Sequence, residues 1–186
     1  MRHSVRLVLP VVLLLGACGK GDSAAEGAKT DEDASIVRVP AATGKAATTI
    51  HLTIDGGPHA GTYDAKSADI TCTYGFAGPG TWGNQYTALG KSPKEFSSLQ
   101  LIVDAKDAAD GTDAFLMTVA FGEMMKPGYS EHVIDTQTKN GSKKGSGTIR
   151  VDDQKTGGKV TFKGVAEDGA KLEGTIDCHQ MMRSEG

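Results

Sequence analysis

Apolar and polar residues alternate along most of the chain from Thr48 onward. In the first such stretch, Ile50, Leu52 and Ile54 are separated by polar residues. The same pattern recurs in residues 99–103, 115–121, 149–151 and 160–162. Alternation with a period of two is typical of β-strands that have one buried face. The pattern therefore predicts a domain built from strands rather than from amphipathic helices.

Turn signals separate these stretches. They are Asp55-Gly56, Asp110-Gly111, Asn140-Gly141, Gly157-Gly158 and Asp168-Gly169. Such pairs tolerate the positive φ angles of tight hairpins, so the last three predicted strands form a meander that ends at Cys178. Helix signal is confined to residues 92–95, where Ser92, a first-turn proline and Glu95 predict one or two short turns. The fold class predicted is all-β, an antiparallel sandwich or partly closed barrel of roughly eight strands.

The first residues have the three parts of a secretory signal. Arg2 and Arg6 form a basic start, an apolar run covers residues 7–15, and small residues precede Cys18. The run is too short to cross a hydrocarbon core, which needs roughly 20 apolar residues. Pro10 interrupts the run, and this argues against a buried helix of the folded domain.

The junction Leu15-Gly16-Ala17-Cys18 resembles the lipobox of bacterial lipoproteins. The resemblance implies that a diacylglyceryl group alkylates the Cys18 thiol, that the chain is cut before it, and that palmitate-like acyl chains hold the protein in a membrane. Acyl chains add about 0.8 kcal/mol per buried CH₂, so two or three of them anchor a protein firmly. The residue after Cys18 is Gly19 and not the aspartate that resembles an inner-membrane retention signal. The expected location is therefore the outer membrane where the host has one, with the protein facing away from the cytoplasm.

The chain divides into four segments on composition. They are a signal peptide (1–17), a lipidated N-terminus with a flexible tether (18–47), a β domain (48–180) and a C-terminal tail (181–186). The tether is rich in small and polar residues that bury too little apolar surface to offset their ordering entropy, so it is predicted to be disordered. A flexible chain of that length spans roughly 30 Å.

Charge narrows the choice of partner. Removal of residues 1–17 takes away two arginines and leaves 18 basic and 23 acidic residues, a net charge of −5. This argues against nucleic acid, or an anionic bilayer surface, as the main partner. The expected partners are the membrane, through the lipid on Cys18, and an unknown small ligand or envelope protein.

Assignment of Cys18 to lipid leaves an even pair, Cys72 and Cys178. In an oxidising compartment such a pair predicts a disulfide. Ile70, Cys72 and Tyr74 fall on one side of an alternating strand, and Ile176 and Cys178 do so on another. Both thiols are therefore expected to point towards the apolar face of their strand. A pair of buried free thiols is the alternative.

The lipobox, the small-residue tether and the two cysteine segments, Ile70-Thr71-Cys72 and Gly174-Thr175-Ile176-Asp177-Cys178, together resemble the mycobacterial 19-kilodalton lipoprotein antigen and related small lipoproteins. The resemblance covers the plan of the chain and both cysteines. It implies the architecture and surface display, and no enzyme activity. The central loops are longer here, and the tail from His179 to Gly186 departs from the family's plan.

Catalytic motifs are missing from the sequence. There is no Gly-x-Ser-x-Gly and no His-Glu-x-x-His. Ser130, Glu131 and His132 are adjacent, but a strand directs neighbouring side chains to opposite faces, so they form a poor triad. The sequence therefore predicts a non-catalytic protein without a cofactor.

A ligand site is predicted from aromatic residues in a glycine-rich segment, namely Tyr74, Phe76, Trp82 and Tyr86. Such side chains stack on a sugar or hold a small apolar ligand. The alternative is that the loop folds its aromatics over one end of the core.

Two groups of residues contain the side chains of a metal site, but neither pattern predicts one, so the expectation is that no metal is bound. A calcium site would use the carboxylates of Asp104, Asp107, Asp110 and Asp113. A copper site would use Met124, Met125, His179, Met181 and Met182, with His51 and His59. Hairpin turns favour aspartate without a metal, and methionine often only fills cores.

The function predicted from the sequence is that of a membrane-anchored extracytoplasmic lipoprotein with a non-catalytic β domain that binds a partner or supports the envelope. The alternative is a carrier for a small hydrophobic or sugar-like ligand in the β core.

Overall fold

The computed structural model describes residues 46–104, 114–137 and 144–184, and its regular secondary structure is entirely β. Eleven strands follow in chain order: β1 Thr48–Asp55, β2 Gly61–Ser67, β3 Cys72–Tyr74, β4 Thr81–Thr87, β5 Phe96–Asp104, β6 Phe115–Phe121, β7 Ser130–Asp135, β8 Ser146–Asp153, β9 Gly158–Val165, β10 Lys171–Cys178 and β11 Met181–Arg183. The predicted all-β class is confirmed.

The strands form two sheets. One has five strands in the order β2-β1-β10-β9-β8, and the other has six in the order β11-β3-β4-β5-β6-β7. Neighbouring strands are antiparallel, except that β11 runs parallel to β3. Buried side chains from both sheets join one hydrophobic cluster, so the architecture is a sandwich.

The core follows from the alternation in the sequence. On β1, Ile50, Leu52 and Ile54 are each no more than 2 % exposed, whereas His51 and Asp55 point to solvent. Buried apolar side chains also alternate along β4, β5 and β6 of the facing sheet, among them Trp82, Tyr86, Leu99, Leu101, Val103, Phe115, Met117, Val119 and Phe121. Burial of one such large apolar side chain stabilises the fold by about 1.5–3 kcal/mol.

The predicted meander of β8, β9 and β10 is present. Phe162 on β9 lies opposite Ile149 on β8 and Gly174 on β10. A Cβ atom on Gly174 would overlap the carbonyl oxygen of His51 and come within 2.8 Å of the Phe162 ring. A glycine at this position therefore makes room for a large aromatic side chain in the core.

A disulfide joins the two sheets. Cys72 begins β3 and Cys178 ends β10, with 6.1 Å between their Cα atoms, and both side chains are buried. This confirms the predicted pairing. The first residues of the β domain lie beside it, because the Ala47 carbonyl accepts a hydrogen bond from the His179 amide at 2.9 Å, and Thr48 pairs with Cys178.

The fold differs from the predictions in two local features. Residues 181–183, assigned to a tail, form β11 and extend the six-stranded sheet, so the β fold continues past residue 180. The short helix predicted at Ser92 is a turn. The Ser92 amide does donate to the Glu95 carboxylate at 2.8 Å, but Phe96 is buried against Phe121 and starts β5 at once.

Several predictions concern residues outside the described ranges. These are the signal peptide and tether up to residue 45, and the turns at Asp110-Gly111 and Asn140-Gly141. Within the described part of the chain, no helix has the length and apolar character needed to cross a bilayer.

Candidate functional site

The outer faces of the two sheets differ in charge. Strands β3 to β7 contain no lysine or arginine and only three acidic residues, all at the margins of the sheet: Asp104 at the end of β5, and Glu131 and Asp135 on the edge strand β7. The strands of the five-stranded sheet carry five basic and six acidic residues. The six-stranded sheet is therefore the one with the unusual surface, because protein surfaces are normally rich in charged residues.

We call the outer side of the six-stranded sheet the neutral face. Its members alternate with the core residues and are Thr73, Gly83, Gln85, Thr87, Ser98, Gln100, Ile102, Leu116, Thr118 and Val133. The register places them in rows across the strands, with Gln85 opposite Gln100 and Gly83 opposite Ile102. Neutral hydrogen-bonding groups and short aliphatic side chains therefore form one continuous surface.

On the opposite face, some of the charged side chains form ion pairs. Lys163 lies 3.6 Å from Glu173, and Lys171 lies 3.5 Å from Asp55, each pair spanning neighbouring strands. Exposed pairs of this kind contribute at most about 1 kcal/mol each, but they keep the surface solvated and leave no large field of one sign. Nothing in this charge arrangement selects a particular ligand.

A groove of about 300 Å³ lies on the neutral face. We call it the Phe76 groove, and its lining includes Phe76 in the β3–β4 loop, Thr73 on β3, Gly83 and Gln85 on β4, and Gln100 and Ile102 on β5. Phe76 is 49 % exposed and Ile102 is 39 % exposed, which is high for large apolar side chains.

Glycines shape this groove. A Cβ atom on Gly83 would come within 3.0 Å of the Thr73 hydroxyl oxygen and 3.2 Å of the Leu101 carbonyl, so a side chain at position 83 would crowd the Thr73 side chain beside it. Gly75 and Gly78 have positive φ angles of 82° and 136°. The Gly78 carbonyl accepts the Thr81 hydroxyl at 2.7 Å, which closes the loop that carries Phe76.

The predicted aromatic residues do not form one surface. Trp82 and Tyr86 have the parity of the core and are buried. Tyr74 is half-buried beneath the Arg183 guanidinium, which lies 4.7 Å from its ring centroid. Only Phe76 is on the outer face beside the groove. Its groove partners, Gln85, Gln100 and Ile102, were missed in the sequence analysis.

A second group of polar side chains lies where the sheets meet, and we call it the histidine cluster. It consists of His59 in the β1–β2 loop, Ser130 and His132 on β7, and Asp168 in the β9–β10 turn. His132 Nδ1 lies 2.6 Å from the Asp168 carboxylate, and His59 Nε2 lies 2.7 Å from the Ser130 hydroxyl. Both contacts connect a hairpin tip of one sheet to the edge strand of the other.

Packing fixes His59 within this cluster. Its ring stacks on Phe121 at a centroid distance of 4.0 Å, and its carbonyl accepts the Tyr63 hydroxyl at 2.9 Å. Burial lowers the pKa of His59 below its ordinary value, nearby His132 lowers it further, and Asp168 partly opposes the shift. Burial also raises the pKa of Tyr63. The lowered pKa favours the neutral form of the His59 ring.

The cluster alters the interpretation of the Ser130-Glu131-His132 segment. Glu131 points outward and accepts the Tyr129 hydroxyl at 3.0 Å, as expected from strand alternation. Ser130 and His132 share the inner side but bond to different partners, His59 and Asp168. The arrangement connects three chain segments, namely the β1–β2 loop, β7 and the β9–β10 turn, and does not form a single serine–histidine–aspartate relay.

The residues considered as metal ligands are dispersed. Met124 and Met125 are exposed in the β6–β7 loop, whereas Met181 is buried in the core. Of the four aspartates weighed for calcium, only Asp104 lies in the described ranges. Among the residues that the structure describes, no three His, Cys, Asp or Glu side chains are arranged to hold a metal ion.

Comparison with known proteins returned no matching family model, no matching curated protein and no matching solved structure.

Proposed function

We propose that the chain is a lipid-anchored protein of the cell envelope whose β domain acts outside the cytoplasm by binding and not by catalysis. The observation that carries this proposal is the division of the three cysteines. Cys72 and Cys178 are joined in the disulfide, which belongs to an oxidising compartment. The remaining cysteine, Cys18, follows an apolar run and two small residues, in the position that a lipid acceptor occupies in bacterial lipoproteins.

The test of the anchor is the mass and phase behaviour of the protein made in its bacterial host. We expect the membrane-extracted chain to begin at Cys18, to carry the mass of two or three acyl chains, and to enter the detergent phase on partition. A Cys18→Ser variant should move to the aqueous phase. A Cys72→Ala/Cys178→Ala variant should keep the acyl mass. An unacylated mature N-terminus would refute the proposal.

The neutral face supports the binding part of the proposal. Strands β3 to β7 have no basic residue, Gln85 and Gln100 bond to no described residue through their side chains, and two apolar side chains in the groove are partly exposed. This surface differs from the charged face opposite. Surfaces that serve only for solubility are usually mixed in charge. We therefore place the ligand or partner on the outer side of the six-stranded sheet.

The alternative is a carrier that holds its ligand between the sheets. Trp82 and Tyr86, two of the aromatics assigned to that ligand, already pack among core side chains. A ligand between the sheets would have to displace them. This favours contact at the outer surface.

A further inference from the structure

We infer that the Phe76 groove is a binding site for a neutral glycan, with one sugar ring lying over Gly83 and the chain continuing along the neutral face. The inference rests on the proposed binding role of that face and adds the chemical class of the ligand. It is carried by the combination of an exposed aromatic ring, two side-chain amides that bond to no described residue, and a glycine in the groove lining.

The first argument concerns charge. Strands β3 to β7 have no cationic side chain to bind a phosphate, a carboxylate or a sulfate, and the three carboxylates lie at the margins. Buried or half-buried anions require paired cations or several donors, which this face does not supply. An uncharged ligand is therefore the one that matches.

The second argument concerns hydrogen bonding. Gln85 and Gln100 are exposed and face each other across β4 and β5, at the cross-strand spacing of about 5 Å between Cβ atoms. Within the described chain, neither side-chain amide has a hydrogen-bond partner. Each amide offers two donors and one acceptor oxygen. Sugar hydroxyls both donate and accept, so a pair of neutral amides can bond to neighbouring hydroxyls of one ring.

The third argument concerns shape. The Phe76 ring provides an apolar surface for the C–H face of a sugar. Because Gly83 has no side chain, the sugar ring can approach β4 beside the Thr73 hydroxyl. The groove volume of about 300 Å³ is at the lower end for ligand sites, which suits one ring of a chain and not a large enclosed molecule.

A protein partner fits less well. Protein interfaces of standard size bury about 800 Å² per partner and depend on tryptophan, tyrosine or arginine anchors. In strands β3 to β7 no such side chain is fully exposed, since Trp82 and Tyr86 are buried and Tyr74 is half-buried beneath Arg183.

The experiment uses the secreted full chain carrying Cys18→Ser, so that binding is measured without detergent and independently of the anchor. Cellohexaose, maltohexaose and chitohexaose are the neutral probes, and oligogalacturonate is the anionic control. Titration calorimetry should detect binding to at least one neutral probe and none to oligogalacturonate.

Phe76→Ala should weaken that binding by about tenfold, and Gln100→Ala by about threefold to tenfold. Leu89→Ala is the matched control, because Leu89 is an 88 % exposed apolar residue outside the Phe76 groove, and it should bind as the parent does. All variants should unfold at the same urea concentration, since the changed side chains are exposed.

Three results would overturn the inference. They are the absence of binding to every neutral probe, equal binding by Phe76→Ala, and capture of a protein partner that Phe76→Ala abolishes while no glycan binds. Loss of the acyl mass on Cys18 would overturn only the anchor, because glycan binding is measured on a chain that lacks it.

Discussion

The cross-link between the sheets gives the most quantitative prediction. Replacement of Cys72 and Cys178 by alanine opens a loop in which the two residues are 106 positions apart. In the chain-entropy model, closure of such a loop restricts the unfolded chain by about 4.8 kcal/mol. Because most domains are stable by only 5–15 kcal/mol, this is a large share of the total.

We expect the midpoint of urea unfolding to fall by about 2–3 M and the melting temperature by about 15 °C. The fluorescence of Trp82 is the readout, since it is the single tryptophan and is buried beside β3. The dependence of the unfolding free energy on urea should also become steeper, because an unfolded chain without the cross-link exposes more surface.

Cys18→Ser is the control for this experiment, and its midpoint should equal that of the parent. A loss of less than about 1 kcal/mol in the Cys72→Ala/Cys178→Ala variant would contradict the loop-closure argument. An unchanged urea dependence would show that the effect arises in the folded state instead.

Three further predictions concern the core and the histidine cluster. Because the pKa of His59 is lowered in the folded state, the unfolded state binds a proton first as the pH falls. The contribution of His59 to stability is therefore complete above the ordinary histidine pKa and is lost as the pH falls through the lowered pKa of the folded state. Urea midpoints between pH 7.5 and 5 should fall more for the parent than for His59→Gln, and an equal fall in both would refute this. Gly174→Ala should cost more than about 3 kcal/mol, measured by thermal unfolding, because the new methyl group would overlap the His51 carbonyl on the neighbouring strand; a stable variant would mean that β1 and β10 can separate locally. Leu101→Ala should cost about 2–5 kcal/mol in urea, whereas the exposed Leu89→Ala should be nearly neutral, and similar values for both would contradict the assigned core.

The fold class could be predicted because one physical signal dominates this chain. A strand with one buried face must alternate, and Ile50, Leu52 and Ile54 do so without exception. The disulfide could be predicted because each cysteine shares a strand face with apolar residues, so both thiols were expected in the core. β11 could not be predicted in the same way, since three residues are too few to show a period and the strand depends on the parallel partner β3.

The candidate sites were less accessible from sequence. The four aromatic residues predicted to bind a ligand lie within residues 74–86, but the sequence does not show which of the alternating side chains face the core. In the structure, Trp82 and Tyr86 face inward, and Gln85 between them faces outward. The histidine cluster joins residues up to 109 positions apart, from His59 to Asp168. It depends on how two sheets stack, and no local pattern encodes that.

The attachment of Ala47 beside Cys178 has a mechanical consequence. Any tension on the chain that precedes the β domain enters at the start of β1, which lies between β2 and β10. Antiparallel hydrogen bonds run perpendicular to the strands, so a pull along β1 loads both ladders in shear and all bonds resist together. The neighbouring S–S bond then passes part of this force to β3, so both layers of the sandwich share the load.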